Sequence, residues 1–192
     1  MRIISGTARG RKILAPQGTS TRPIPDRAKT AIFNMIISLR MANGTPGLDG
    51  TRVLDLYSGS GSFGLECLSR GAGEVLFVEQ NRSAAATIRT NLDTLGFADR
   101  AKIEARDVHA VLAGLPADRP YDLAFCDPPY ANDPWDQLLP LIPADVLVAH
   151  SETPLALTPE WNELRRRSYG RPQIVVAERL WPNSTEPGTD AD

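Results

Sequence analysis

The sequence predicts an α/β chain: a mostly parallel sheet with helices on both faces, preceded by a small N-terminal β-hairpin and helix. Three observations carry this reading. From Thr51 onward short apolar runs alternate with helical patterns, the mark of βαβ units. A glycine-rich turn directly follows the first of those runs, and acidic residues recur where successive runs end.

Residues 2–6 and 11–15 read as short strands flanking Gly6 and Gly10, a hairpin rich in Arg and Lys. After a loop containing Pro16, Gly18, Pro23 and Pro25, Asp26 suits a helix N-cap. Ala28, Ile32, Met35, Ile36 and Leu39 then recur at three- and four-residue spacing and mark one buried face. Breakers at residues 43–47 end it, giving an N-terminal segment 1–42, a main domain 43–182 and a disordered tail 183–192 rich in Pro, Ser, Thr and acids. Strands are expected at 52–57, 75–79, 102–106, 122–127 and 145–150, with helices near 62–70, 82–95 and 108–113. Residues 165–169 and 173–179 read as a closing antiparallel pair, which makes seven strands with an antiparallel last strand.

A chain of 192 residues with 42% hydrophobic composition is long enough to bury one core. It has no apolar run near ~18 residues and no signal-peptide segment, so a soluble, cytoplasmic protein is expected, without a membrane partner. Cys67 and Cys126 lie in apolar segments and read as reduced core residues. His109 and His150 lack ligand spacing, so both read as structural or exposed, and no metal is called for. The net charge of -2 hides an asymmetry. Residues 1–40 carry eight basic side chains against the single acid Asp26, or +7, whereas the rest carries -9. An anionic polymer would meet the N-terminal part first, through Arg2, Arg9, Arg11, Lys12, Arg22 and Arg27.

Asp127, Pro128, Pro129 and Tyr130 follow the strand at 122–127. The prolines fix the loop and leave the Pro128 carbonyl free to accept. A carboxylate, a carbonyl and a ring suit a planar base bearing an exocyclic amine: Asp127 and Pro128 each accept one N–H, and Tyr130 stacks. The same four residues could also be only a strand-ending turn. Near the first strand, Gly59, Gly61 and Gly64 form G-x-G-x-x-G, with Glu79 twenty residues after Gly59. That spacing fits either a nicotinamide dinucleotide or S-adenosylmethionine (SAM). Asp55 favours SAM, because a carboxylate beside the turn suits an ammonium and repels a pyrophosphate. Asp107 could accept from an adenine amino group and Val108 donate its N–H, although each acid alone could be a helix cap.

With these residues in view, the chain resembles the class I SAM-dependent methyltransferases, and within them the RsmD family of small-subunit ribosomal RNA guanine-N2 methyltransferases. The resemblance rests on residues 2–6, 22–27, 32–34 and 54–66, on Glu79 and on Asp127–Tyr130, and spans roughly residues 1–180. It implies a Rossmann-like sheet. It also implies SAM held by Asp55, Tyr57, Ser58, Gly59, Gly61, Glu79, Gln80, Asp107 and Val108. Guanine would be held by Asp127, Pro128, Pro129 and Tyr130, and the basic hairpin would face 16S ribosomal RNA in a small-subunit assembly particle. A monomer is expected. Ile24 and Pro25 stand where the family usually shows threonine or serine, and Thr30 where glutamate is common. Adenine-N6 methylation of DNA or RNA uses the same Asp-Pro-Pro-Tyr logic and stays open as an alternative. A nicotinamide-dependent oxidoreductase and a catalytically silent RNA-binding protein are alternatives of other classes.

Overall fold

The computed structural model describes residues 1–16, 25–42, 44–45, 47–116, 120–129, 135–168 and 170–181. At its centre lie seven strands: β1 (Arg52–Leu56), β2 (Glu74–Val78), β3 (Ala101–Glu104), β4 (Tyr121–Cys126), β5 (Ala144–Ser151), β6 (Trp161–Ser168) and β7 (Gln173–Arg179). Their spatial order is β3-β2-β1-β4-β5-β7-β6. β1 to β5 run parallel, and β7 lies antiparallel to both β5 and β6. The Rossmann-like arrangement predicted from the sequence is the one that forms. The chain winds outward from β1 to β3 and then restarts on the other side at β4. This reversal opens a crevice at the carboxyl ends of β1 and β4, where open parallel sheets bind ligands.

Helices α1 (Asp26–Ala42), α2 (Ser62–Ser69), α3 (Arg82–Leu95), α4 (Val108–Leu112) and α5 (Trp135–Leu138) connect and cover the strands. Of the stripe that its spacing predicts, α1 buries Ala28, Ile32 and Ile36 and partly buries Met35 and Leu39; Phe33 is buried as well. α3 begins where the Asn81 side chain accepts the Ser83 and Ala84 amides and ends at Gly96, whose φ of 75° suits a residue without Cβ. The period-2 pleat sorts the strand residues onto two faces. Val53, Val75, Phe77, Leu123, Phe125, Val148, Ile174 and Val176 pack with α1, α2 and α3. Leu54, Leu56, Leu76, Val78, Ala124, Cys126, Leu147, Ala149, Val175 and Ala177 pack with α4 and α5. Cys67 belongs to the first cluster and Cys126 to the second, and burial raises both thiols well above their ordinary range, which keeps them protonated and inert.

The N-terminal hairpin joins the first cluster. Its isolated bridge pairs Arg2 with Lys12, and Ile3, Ala8 and Ile13 are buried beside α1 and α2 residues. The Ala8 amide donates to Ser69 Oγ at 3.0 Å, and that hydroxyl donates to the Ser5 carbonyl at 2.6 Å. Asn91 of α3 accepts the Leu14 amide at 2.8 Å and donates to the Leu14 carbonyl at 3.1 Å. At Gly6, φ is 81° and a Cβ would meet the Ser69 carbonyl oxygen at 1.8 Å, so only glycine lets the hairpin approach α2 this closely.

Two boundaries differ from expectation. β3 stops at Glu104, short of the predicted 106, because the chain leaves the sheet to start α4 on the opposite face. β6 begins at Trp161, four residues before the predicted 165; it is an edge strand with mostly exposed side chains, so its sequence carries little alternation. Tyr169, within the predicted strand 165–169, lies outside the described residues, as do the tail 183–192 and Ile24.

Candidate active site

The pleat that builds the two cores also collects the acids. Asp55 falls between Leu54 and Leu56 of β1, so it faces the side of Val53, toward α1 and α2. Glu79 follows Val78 of β2, Asp127 follows Cys126 of β4, and both continue the alternation onto the same face. A cavity of about 520 Å³ opens there. Among the described residues its lining includes Asp55, Tyr57, Ser58, Gly59, Glu79, Gln80, Asp127 and Pro129. The sequence-predicted cofactor turn and the sequence-predicted base loop therefore share one cavity. Tyr130, assigned to stacking, lies outside the described residues.

The turn owes its shape to backbone geometry. Tyr57 leaves β1 at φ 56°, a left-handed conformation uncommon for a residue with a side chain, and Gly59 and Gly61 follow at 54° and 74°. The Ser58 amide donates to the Val78 carbonyl at 3.1 Å, tying the turn to β2. Glu79 uses one carboxylate oxygen to accept the Gly59 amide at 2.9 Å and the other to accept the Asn81 amide at 2.8 Å. Each oxygen retains a second lone pair for a ligand. Gly61 and Gly64 serve packing instead of lining: a Cβ on Gly61 would meet Ile88 and Phe77 at 3.2 Å, and one on Gly64 would meet Phe77 at 2.3 Å.

Asp55 is 1% exposed and accepts the Gly64 amide at 2.9 Å. Burial raises its carboxyl well above the usual range; the Gly64 hydrogen bond opposes this, Asp127 and Glu79 add to it, and Lys29 opposes it. Lys29, not foreseen from the sequence, supplies a cation on the same lining. It is 5% exposed, its Nζ donates to Ser62 Oγ at 2.5 Å, and burial lowers its pKa. Its spacing in α1 does disclose it, since Lys29 stands three residues before Ile32 and four before Phe33 on the buried stripe.

The β4 side of the cavity is built across strands. Asp127 Oδ1 lies 2.8 Å from Nδ1 of His150, the residue after Ala149 of β5, and Ala149 pairs with Cys126. The sequence reading left His150 as structural or exposed; it is buried and touches the central acid. Only the register between β4 and β5 reveals this. Phe63 and Phe125 stack at 4.0 Å with an interplanar angle of 10° and line the cavity, and Phe33 extends the stack at 4.9 Å from Phe63.

Asp107 and Val108 are not among these lining residues, although Asp107 acts electrostatically on the lining residue Tyr57. Asp107 Oδ1 accepts the Ala110 amide at 3.1 Å as the N-cap of α4, and Val108 is buried with the second cluster. Pro128 is buried beside the lining residue Pro129. Of the basic residues, Arg9, Lys12 and Arg27 are exposed. Arg2 pairs with Asp26 at 3.5 Å, and the Arg11 guanidinium donates to the carbonyls of Thr94 and Leu95. Arg22 lies outside the described residues.

A family model described as Conserved hypothetical protein 95 matches residues 1–178. Putative rRNA methyltransferase YlbH of Bacillus subtilis is 41% identical over 143 residues, covering 74% of this chain and 73% of its own. Ribosomal RNA small subunit methyltransferase D of Haemophilus influenzae is 29% identical over 193 residues, covering 95% of this chain and 94% of its own. Among solved structures, the putative methyltransferase yhhF from Escherichia coli aligns with a TM-score of 0.79 at 27% identity, covering 93% of this chain and 97% of that one.

Proposed function

Because this chain belongs to the RsmD family of class I methyltransferases, we propose that it transfers a methyl group from SAM to the exocyclic N2 of a guanine in 16S ribosomal RNA. The observation that carries this reading is the single cavity lined by both Asp55 beside the glycine turn and Asp127 beside the Pro-Pro loop. The family's cofactor fits the charges present. A buried carboxylate and a buried ammonium, Asp55 and Lys29, would meet the α-ammonium and α-carboxylate of a methionyl group, each compensating a burial cost. Glu79 has lone pairs for the two ribose hydroxyls. When bound, SAM supplies an electrophilic methyl on a sulfonium.

The chain's own residues act on the nucleophile. A guanine N2 lone pair is delocalised into the ring and attacks poorly. An ionised carboxylate only accepts hydrogen bonds, so His150 donates through Nδ1 to Oδ1 of Asp127, leaving Oδ2 to accept one N–H of the amine. The Pro128 carbonyl accepts the other. Two acceptors on one amine favour a pyramidal nitrogen and turn its lone pair toward the methyl donor. Alignment of this kind contributes up to ~7–11 kcal/mol in well-oriented systems. Asp127 is also placed to take the proton released after methylation. Stacking is assigned to Tyr130 on its sequence position. The base is unpaired or flipped when it binds, since a paired base hides its amine.

The test is to incubate the protein with labelled SAM and small-subunit RNA, both free and in assembly particles, then digest and identify the labelled nucleoside. N2-methylguanosine is the expected product. N6-methyladenosine would replace the guanine assignment by the adenine one, and no incorporation on any RNA substrate would defeat the reading.

A further inference from the structure

The basic residues of the N-terminal segment are not the only cations facing the site's side of the sheet. β6 carries Arg165, Arg166 and Arg167, and Arg171 stands in the turn to β7; all four are exposed. Arg166 is engaged by Glu163, Gln173 and the Leu155 carbonyl. Among the described residues no carboxylate forms an ion pair with Arg165, Arg167 or Arg171. This contrasts with Arg2 and Arg11, whose guanidiniums contact Asp26 and the end of α3.

Register fixes where these arginines point. In an antiparallel ladder, residues directly opposite one another project to the same face. Arg165 pairs with Val176 and Arg167 with Ile174, and both partners belong to the cluster under α1 and α2. Ile174 in turn pairs with His150, which touches Asp127. Asp127, His150, Ile174 and Arg167 thus form one rung across β4, β5, β7 and β6. At a strand spacing of about 4.8 Å, Arg167 stands about 14 Å from Asp127 along that rung. A few nucleotides of backbone cover such a distance.

We propose that Arg165 and Arg167, extended by Arg171, form a second phosphate-binding surface for the RNA, flanking the methyl-acceptor site on the side opposite the N-terminal hairpin. The RNA strand would then be held on both sides of the reacting base, with Arg9 and Lys12 at one anchor and the β6 arginines at the other. The inference rests on the RNA reading above.

The test compares wild type with the double variant Arg165→Glu/Arg167→Glu, measuring affinity for naked small-subunit RNA and for assembly particles across salt concentrations, affinity for SAM, and kcat at saturating RNA. Each lost phosphate contact reduces the steepness of log affinity against log salt by roughly 0.7–0.9. The double variant should therefore lose about 1.4–1.8 from that slope, with SAM affinity and saturated kcat unchanged. Lys102→Glu, on the edge strand at the far end of the sheet, makes one of the same charge reversals away from the site and should leave the slope intact, against half the double variant's loss if net charge alone acted. An unchanged slope in the double variant, or a fall of half its size in the control, would overturn the proposal. So would a loss confined to protein-containing particles, which would assign the surface to a protein partner. A wild-type protein that neither binds nor methylates RNA would instead defeat the functional reading itself.

Discussion

The two ends of the cavity are constructed by different means. At the carboxyl ends of β1 and β2 the backbone does the building: positive φ at Tyr57, Gly59 and Gly61, and amides of Gly59, Asn81 and Gly64 already bonded to Glu79 and Asp55. At the ends of β4 and β5 side chains do it, with Asp127 braced by His150 across a strand boundary and 31% of its side chain exposed. The first end is hydrogen-bonded through its backbone and buries an acid whose carboxyl resists ionisation. The second leaves a partly exposed carboxylate, which the proposed function assigns to an incoming base. Substitutions at the two ends should accordingly separate cofactor binding from methyl transfer.

The largest separable effect is expected at Asp55. On the proposed function Asp55 partners the ammonium of SAM, so Asp55→Asn should weaken SAM binding by about 2–5 kcal/mol. The same change relieves the folded state of a carboxyl whose pKa burial raises. A raised carboxyl pKa means stability that is present at low pH and is lost as pH rises through the folded value, so Asp55→Asn should leave the ligand-free fold equally or more stable at neutral pH. In the wild type, SAM affinity should strengthen with rising pH, with proton release on binding. Calorimetry in buffers of different ionisation heat checks this, and pH-independent affinity would sever Asp55 from ammonium recognition.

Gly64→Ala probes the packing beneath the same end. Alanine is the better helix former by about 1 kcal/mol, yet its Cβ would lie 2.3 Å from the Phe77 ring and 2.8 Å from Val75. Overpacking should win, with a net loss of about 1–3 kcal/mol in denaturant unfolding. A gain in stability would mean that α2 can lift from β2 without strain.

The smallest effect is expected at the other end. His150→Ala removes one hydrogen bond to a partly exposed carboxylate, about 1.5 kcal/mol, or roughly a tenfold loss of kcat with unchanged affinity for SAM. His150→Asn, whose amide can still donate, should recover part of it. Equal kcat in wild type and alanine variant would reduce His150 to a packing residue.

Much of this was legible in the sequence, and the reasons differ by feature. Local periodicity gave every strand of the parallel sheet to within two residues at each end, and the spacing of Gly59, Gly61, Gly64 and Glu79 marked the turn because it is built from consecutive backbone. Tertiary register is not local. Nothing near His150 in the chain announces Asp127, and the facing of Arg165 and Arg167 depends on pairing with β7. Asp107 shows a second use of aspartate that the sequence also permits: β3 ends three residues earlier, and one carboxylate oxygen caps α4. α5 and the 3₁₀ turns at 98–100 and 139–141 are too short to show a helical period.

The separation of the two ends is tested most directly in Asp127→Ala, by measuring SAM affinity and methyl incorporation into small-subunit RNA on the same preparation. SAM affinity within about twofold of wild type, with incorporation lost by a factor of roughly 100 or more, is the expected result. Parallel loss of both, or incorporation retained near the wild-type level, would contradict it.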